Sequence, residues 1–474
     1  MNRFEVTIHA SSLDMLHKLE EANLDINRPT AEQHSETDYT VRALVTEEQL
    51  NELKQRGYTV TDQSDVSRIP FERIQELTGM GDRIDGIKAN EVEWTADTVR
   101  DGYLTVAEIE QELRQTARLF PNWVKLIELP FGTREGRSCL AAKLSVNSRN
   151  SSGERIGILL TGNVHAREWG GSDITLNVLK QLVQAYDSRQ AIAYGGKNFA
   201  FEQIRRILEN IDLYVFPEVN PDGKIYSQSF AEENERGFDS NSGEKFWWRK
   251  NRYRNQQGTV VGVDVNRNFD FLWESGIGAS TDEKSLVYRG PSPASEPETQ
   301  NIIHLLDTDT NIRFYLDIHS YGELILYNWG DDENQSLDKD KNFQNKRFNG
   351  MRGLFGSIPE RNLYEEYISP DDERLEISLA NRMNQALQAV RGKSYKVKPG
   401  SGLYYTSGTT TDYAYSRHLV DPSKPKIYGF TFEFGRQFVP PYEEMKLIIA
   451  DVSAAITEFC YAVTELKVRE PVRS

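Results

Sequence analysis

The stretch that decides the fold runs from Ile156-Gly157-Ile158-Leu159-Leu160 into Gly162-Asn163-Val164-His165-Ala166-Arg167-Glu168-Trp169. Its first five residues are a short apolar run of the kind that lies buried in a sheet, and a helix-period segment, Ile174 to Tyr186, follows. His165 and Glu168 therefore stand where a strand gives way to a helix. That junction is the carboxyl edge of a parallel sheet, where open α/β sheets bind their ligands. An imidazole and a carboxylate in a His-x-x-Glu pair can turn toward one cation, and zinc accepts both ligand types. Such a pair also occurs in solvated loops, so the reading depends on what else the chain brings to the same edge.

Two further apolar runs end in ionisable groups. Tyr315-Leu316-Asp317-Ile318-His319 carries a second histidine at its end, and a parallel sheet would set it beside His165 and Glu168. Three protein ligands with one position left for water is the form of a catalytic zinc site. Glu433 interrupts Ile427-Tyr428-Gly429-Phe430-Thr431-Phe432-Glu433-Phe434, which is otherwise nearly all apolar. A carboxylate in such a strand is costly unless it is paired or employed, and its expected role is that of a general base.

Outward from these strands, the pattern after Tyr103 is that of one large α/β domain. Helices Thr105–Leu119, Ile174–Tyr186, Phe201–Leu208, Glu296–Leu306, Leu375–Val390 and Tyr442–Thr464 alternate with strands Ser138–Leu144, Ile156–Leu160, Ile211–Phe216, Phe314–Ile318 and Ile427–Phe434. This predicts a mixed, mostly parallel central sheet with helices on both faces over residues 100–474. Asn220-Pro221-Asp222-Gly223 reads as a turn, and the polar stretches Ser227–Lys245 and Asp331–Glu366 as loops able to frame a cleft. Residues 1–65 read as a separate small α+β open sandwich with β-α-β-α-β order. Its strands are Arg3–Ile8, Asp38–Val45 and Tyr58–Thr61; one helix spans Leu13–Leu24 and a capping box, Thr46-Glu47-Glu48-Gln49, opens the other. Residues 66–99 form a polar connector with one short helix near Phe71–Leu77.

The 474 residues carry a net charge of −16 spread along the chain, which excludes a phosphate-binding face and so nucleic acid as a partner. No apolar run approaches the roughly 18 residues that cross a bilayer, so no membrane span is expected. The first residues lack an export pattern, which gives a cytoplasmic location by default. Cys139 and Cys460 are too few for a disulfide framework and are expected as buried free thiols.

Two arginine-bearing stretches complete the set, Phe246-Trp247-Trp248-Arg249-Lys250-Asn251 and Gly262-Val263-Asp264-Val265-Asn266-Arg267-Asn268. The planar fork of a guanidinium suits carboxylates and oxyanions. In order over Tyr103 to Thr464, HAREW, WRK, VDVNRN, IHSY, SGTTTD and FTFEF make the chain resemble the carboxypeptidase A/B family of zinc metallocarboxypeptidases. The resemblance implies one zinc ion per chain, held by His165, Glu168 and His319. It implies Glu433 as the base that activates water and protonates the leaving amine, and Arg249 as the group that stabilises the oxyanion. Asn266 and Arg267 would grip the free C-terminal carboxylate of a peptide or protein, Arg167 would make a secondary contact, and Tyr404 would cap the pocket. Members that prefer Lys or Arg have an acid at the position of Thr411, and another such subgroup at Gly330, although Asp331 and Asp332 stand close by. The resemblance thus leans to apolar or aromatic C-terminal residues, with a polar pocket that accepts several residue types as the alternative. Family zymogens often carry an N-terminal domain of similar size, so the resemblance implies for residues 1–65 either a prosegment, released by an activating protease near Arg83, Lys88 or Arg100, or a permanent accessory domain. The family is commonly secreted, against the cytoplasmic default. The alternatives are a related zinc hydrolase of small acyl-amino acids or cell-wall peptides, and an inactive scaffold that binds C-termini.

Overall fold

The computed structural model describes residues 2–22, 24–77, 102–146, 155–229, 242–353 and 364–466. Arg83, Lys88 and Arg100 lie outside the described residues, as do 230–241 and 354–363 of the two polar insertions. Near the N-terminus, β1 (Arg3–Ala10), β2 (Asp25–Ser35), β3 (Asp38–Thr46) and β4 (Thr59–Asp65) form an antiparallel sheet in the order β2-β3-β1-β4. The capping box at Thr46 and Gln49 forms and opens the helix Glu47–Gln55.

This sheet departs from the expected β-α-β-α-β order. The first helix ends at His17, continues only as a 3-10 segment over Lys18–Ala22, and is followed by the extra strand β2. β2 is an edge strand whose register with β3 breaks between Asn27 and Glu32, around Pro29. Polar residues and a proline are what an edge strand tolerates, and they erase the alternation that reveals a strand.

The main sheet comprises β5 (Val124–Glu128), β6 (Leu140–Leu144), β7 (Ile156–Gly162), β8 (Ile211–Phe216), β9 (Ile312–His319), β10 (Leu324–Tyr327), β11 (Lys396–Pro399) and β12 (Tyr428–Glu433). Their order is β11-β10-β12-β9-β7-β8-β6-β5. The four central strands β12, β9, β7 and β8 are parallel, and antiparallel neighbours flank them on both sides. Ile158 and Leu160 pack into one core with helices Gly170–Ser188, Pro370–Arg391 and Tyr442–Val463. Leu159 packs into the other with helices Pro297–Thr308 and Thr410–Val420. Burial on both faces is why these strands read as continuous apolar runs, and the mixed α/β architecture is the one expected.

β5, β10, β11 and the helix Thr410–Val420 are additional to the expected elements. Asn220 to Gly223 is a helix start rather than a free turn. The Asn220 side chain accepts from the Gly223 amide at 3.0 Å and Pro221 opens the helix Pro221–Gln228. Asn before Pro at the first helical position is a start signal with the same composition as a turn.

The N-terminal sheet has its own core of Val6, Ile8, Leu16, Val41, Leu50 and Leu53, to which, among the described residues, Leu403 and Tyr404 come from the larger unit. In return, Leu44 and Val66 join the main core. Cys139 and Cys460 are free and buried, and no described helix is long and apolar enough to cross a membrane.

Candidate active site

Parallel strands deliver their carboxyl ends to one edge. In register, Glu433 stands opposite His319, and Ile318 opposite Gly162. The chain after Gly162 folds back onto the helix that begins at Gly170, so tightly that a Cβ on Gly162 would lie 2.8 Å from the Gly171 carbonyl. That close approach sets His165 and Glu168 against His319. His165 Nδ1 is 2.8 Å from Glu168 Oε1, His319 Nδ1 is 2.8 Å from Glu168 Oε2, and the two Nδ1 atoms are 3.1 Å apart.

These three buried residues could hold a metal ion. Two imidazole nitrogens 3.1 Å apart crowd two protons or two lone pairs against each other, whereas one cation satisfies all three donors. The donor set suits zinc with a coordination position left open. The far nitrogens also face carboxylates: His165 Nε2 lies 3.1 Å from Asp264 Oδ1, and His319 Nε2 lies 2.9 Å from Asp317 Oδ2, off the N–H axis. Such partners orient metal-bound histidines and raise their basicity.

Sequence reasoning missed Asp264 and Asp317. Asp317 was detectable by the argument applied to Glu433, since it too is an ionisable residue inside an apolar strand, on the face of His319. Asp264 also accepts from Arg249, at 3.0 Å from Nη2 and 3.2 Å from Nε. Burial alone would raise the Asp264 carboxyl, but Arg249 and His165 hold it well below the usual carboxylate range. Arg249 in turn comes within 4.0 Å of Glu168. Glu433 is half-buried beside this cluster, and burial pushes its carboxyl up to about 8, with His319 opposing and Glu168 adding.

One cavity of about 120 Å³ joins His165, Glu168, Arg249, Glu433, Asn266 and Arg267. Asn266 Oδ1 accepts from the Thr410 amide and hydroxyl at 2.9 and 2.8 Å, which leaves its amide nitrogen for the cavity. Arg267 is buried and donates to the carbonyls of Gly278 and Asn266 at 2.9 and 2.6 Å, with no carboxylate at ion-pair distance among the described residues. Burial pulls its guanidinium down to about 10, although Asp264 opposes this.

Thr411 and Gly330 line the cavity, whereas Asp331 and Asp332 do not. Arg167 is engaged by the N-terminal sheet. It forms a two-pronged ion pair with Asp25 of β2, Nη2 to Oδ1 at 2.7 Å, while its guanidinium stacks 3.8 Å over the Phe438 ring. Tyr404 turns to the short helix Leu13–His17 that packs on that sheet, its hydroxyl donating to the Leu16 carbonyl at 2.9 Å.

Fold and donor cluster together define a metallohydrolase. A model of the zinc carboxypeptidase family matches residues 109–454, and the chain belongs to that family. It is similar to mouse carboxypeptidase A4, 26% identical over 402 residues that cover 82% of this chain and 79% of the relative. It is also similar to bovine carboxypeptidase O, 31% identical over 303 residues that cover 64% and 62%. The solved structure of carboxypeptidase A from Helicoverpa armigera shares the fold over 98% of both chains, with a TM-score of 0.69 at 22% identity. The protein is thus a metallocarboxypeptidase, a hydrolase of peptides.

Proposed function

We propose that this chain is a zinc-dependent exopeptidase that removes the C-terminal residue of peptides and proteins, and that residues 1–65 hold it closed until they are cut away. The observation that carries the reading is Arg267, a buried guanidinium with carbonyl partners only among the described residues, in the same cavity as Glu433, His165 and Glu168. A buried cation of this kind seeks an anion. The carboxylate at a chain end is one; an internal peptide bond offers none.

Zinc held by His165, Glu168 and His319 supplies Lewis-acid activation of the scissile carbonyl and of water. The protein's own groups do the rest. Asn266 and Arg267 fix the terminal carboxylate and so the position of the bond to be cut. Glu433 takes the proton of the attacking water and returns it to the leaving amine, and a carboxyl raised toward neutrality suits both tasks. Arg249, aimed by Asp264, faces the oxygen on which charge develops. Arg167 and Tyr404 become a second substrate contact and a cap once Asp25 and Leu16 release them.

Closure is supported by four contacts across the cleft rim. Asp25 pairs with Arg167, Asn27 Nδ2 donates to the Tyr321 carbonyl at 2.7 Å, Lys398 Nζ donates to the Pro29 carbonyl at 2.8 Å, and Tyr404 donates to Leu16. A cut near Arg83, Lys88 or Arg100 would free the sheet that makes them. In the pocket, Thr411 and Gly330 without an acid argue against Lys or Arg as the residue removed. Leu326 and the threonine methyls favour the apolar side chains that the family resemblance leans to; Lys398 in the same cavity does not.

The test is hydrolysis of N-blocked dipeptides by the zinc-loaded protein, intact and after limited trypsin cleavage, with and without a chelator. Chelator-sensitive release of the terminal residue is expected only after the cut. Equal release by the intact chain would remove the closure reading. No release in either form, with zinc bound, would leave a scaffold that binds C-termini.

A further inference from the structure

One lysine in the pocket is explained by none of these roles. Lys398 lies on the edge strand β11, in register with Leu326 of β10, which is in register with Thr431 of β12. Thr431 is two residues from Glu433, so all of these side chains rise from the same face of the sheet and line the same cavity. The Lys398 backbone is two strand spacings, ~10 Å, from Thr431. The residue lies on the side of Gly330 and Thr411, and a Cβ on Gly402 would lie 3.6 Å from its Nζ.

Its acceptor is borrowed. Nζ donates to the Pro29 carbonyl of β2 at 2.8 Å, and no carboxylate stands at ion-pair distance from it among the described residues. The carboxylates whose fields reach it are committed elsewhere: Glu32 pairs with Lys396 at 3.2 Å, and Glu433, which is not at ion-pair distance, stands beside the donor cluster. Burial, with Lys396 adding, pulls the ammonium down to about 8, the sign of a cation that lacks a counter-ion. When β2 leaves, Lys398 loses its one hydrogen-bond acceptor among the described residues, and the cavity that holds Arg267, with Arg249 and Arg167 also in its lining, keeps Lys398 as a further cation. A ligand with two carboxylates, one at the chain end and one on the side chain, matches Arg267 and Lys398.

We propose that Lys398 makes this pocket select a C-terminal glutamate or aspartate, its ammonium pairing with the side-chain carboxylate while Asn266 and Arg267 take the α-carboxylate. This rests on the exopeptidase reading above and replaces its apolar preference with an acidic one. Arg would keep the charge at this position, and Met would keep the length and lose it.

The experiment takes the full-length, zinc-loaded protein, cut by trypsin after folding, as wild type, Lys398→Met and Lys398→Arg, and measures kcat/KM on blocked dipeptides ending in Glu, Leu and Lys. Wild type should favour Glu over Leu at least tenfold on the scale of a charged hydrogen bond, about 10- to 100-fold. Lys398→Met should lower the Glu-to-Leu ratio by about 30-fold or more, and Lys398→Arg should keep most of it. Faster release of Leu than Glu by wild type would overturn the proposal. So would an equal loss on Glu and Leu in Lys398→Met, which would assign the ammonium to the α-carboxylate. If no substrate turns over, the exopeptidase reading fails instead, and calorimetric binding of the same dipeptides decides the pocket separately. Tighter binding of the Glu dipeptide by wild type, lost in Lys398→Met, keeps the assignment; equal binding ends it.

Discussion

The central and edge strands of this molecule divide its chemistry between them. β7, β9 and β12 are apolar and buried on both faces, and ionisable groups stand at or just past their carboxyl ends: His165 and Glu168, His319, and Glu433. The edge strands β2 and β11 are polar, and each carries a proline, Pro29 and Pro399. They meet across the cleft, Lys396 with Glu32 at 3.2 Å and Lys398 with the Pro29 carbonyl at 2.8 Å. A strand packed on both faces can reach a ligand only at its end, where neighbouring strands hold it rigid. An edge strand meets solvent or a partner along its whole length, through a few hydrogen bonds and ion pairs that can be exchanged. Reaction geometry thus belongs to the centre, and closure and selectivity to the edges.

The sharpest break of this division is at the centre. Glu433→Gln should lower kcat by about 10³-fold while bound zinc, measured by atomic absorption, stays at the wild-type level. A loss below tenfold would place the base elsewhere. Arg267→Met should come next, raising KM for blocked dipeptides by about 100-fold as a two-pronged charged contact is lost. An unchanged KM would detach Arg267 from the terminal carboxylate.

Changes at the edge should affect opening more than chemistry. Asp25→Asn leaves Arg167 buried without its anion, and removing one partner of a buried pair costs about 3–5 kcal/mol, less at a rim such as this. Trypsin activation should quicken about tenfold, with the activity of the cut enzyme unaltered. Equal activation times would show that the ion pair does not hold the cleft shut. The same pair predicts a pH step. Burial alone would raise the Asp25 carboxyl, but Arg167 holds it below its ordinary value. A depressed carboxyl contributes its full stabilisation above the ordinary value of about 3.9, and the contribution falls away as pH drops through the depressed one. Exposure of the cleft to a zinc-binding probe should therefore begin only below about pH 4, and the step should vanish in Asp25→Asn. The smallest effect is Ile8→Val in the N-terminal core, which should lower the stability of that sheet by about 1 kcal/mol and leave the kinetics of the cut enzyme alone. A change in those kinetics would mean that the two cores are not separable.

The central strands were legible because a carboxylate or imidazole inside or at the end of an apolar run has no cheap place to go. The same signal was present in Asp317 and was overlooked; it sits two residues before His319 and turns to the same face. Asp264, in Gly262-Val263-Asp264-Val265, has no strand period to flag it. β2 and β11 gave no signal, because Asp-Ile-Asn-Arg-Pro and Lys-Val-Lys-Pro are equally at home in a solvated loop. Asn220 misled for a related reason, since Asn-Pro opens turns and helices alike.

What the sequence by itself determined is the α/β layout, the donor set His165, Glu168 and His319, and the unusual place of Glu433. Each follows from local period and from the cost of burying charge. Only the tertiary structure decided that Asp25 neutralises Arg167, 142 residues away, and that Lys398 looks into the pocket with Pro29 as its partner across 369 residues. Water would satisfy those side chains as well as their partners do, so nothing in the local sequence distinguishes a contact that is made from one that is not.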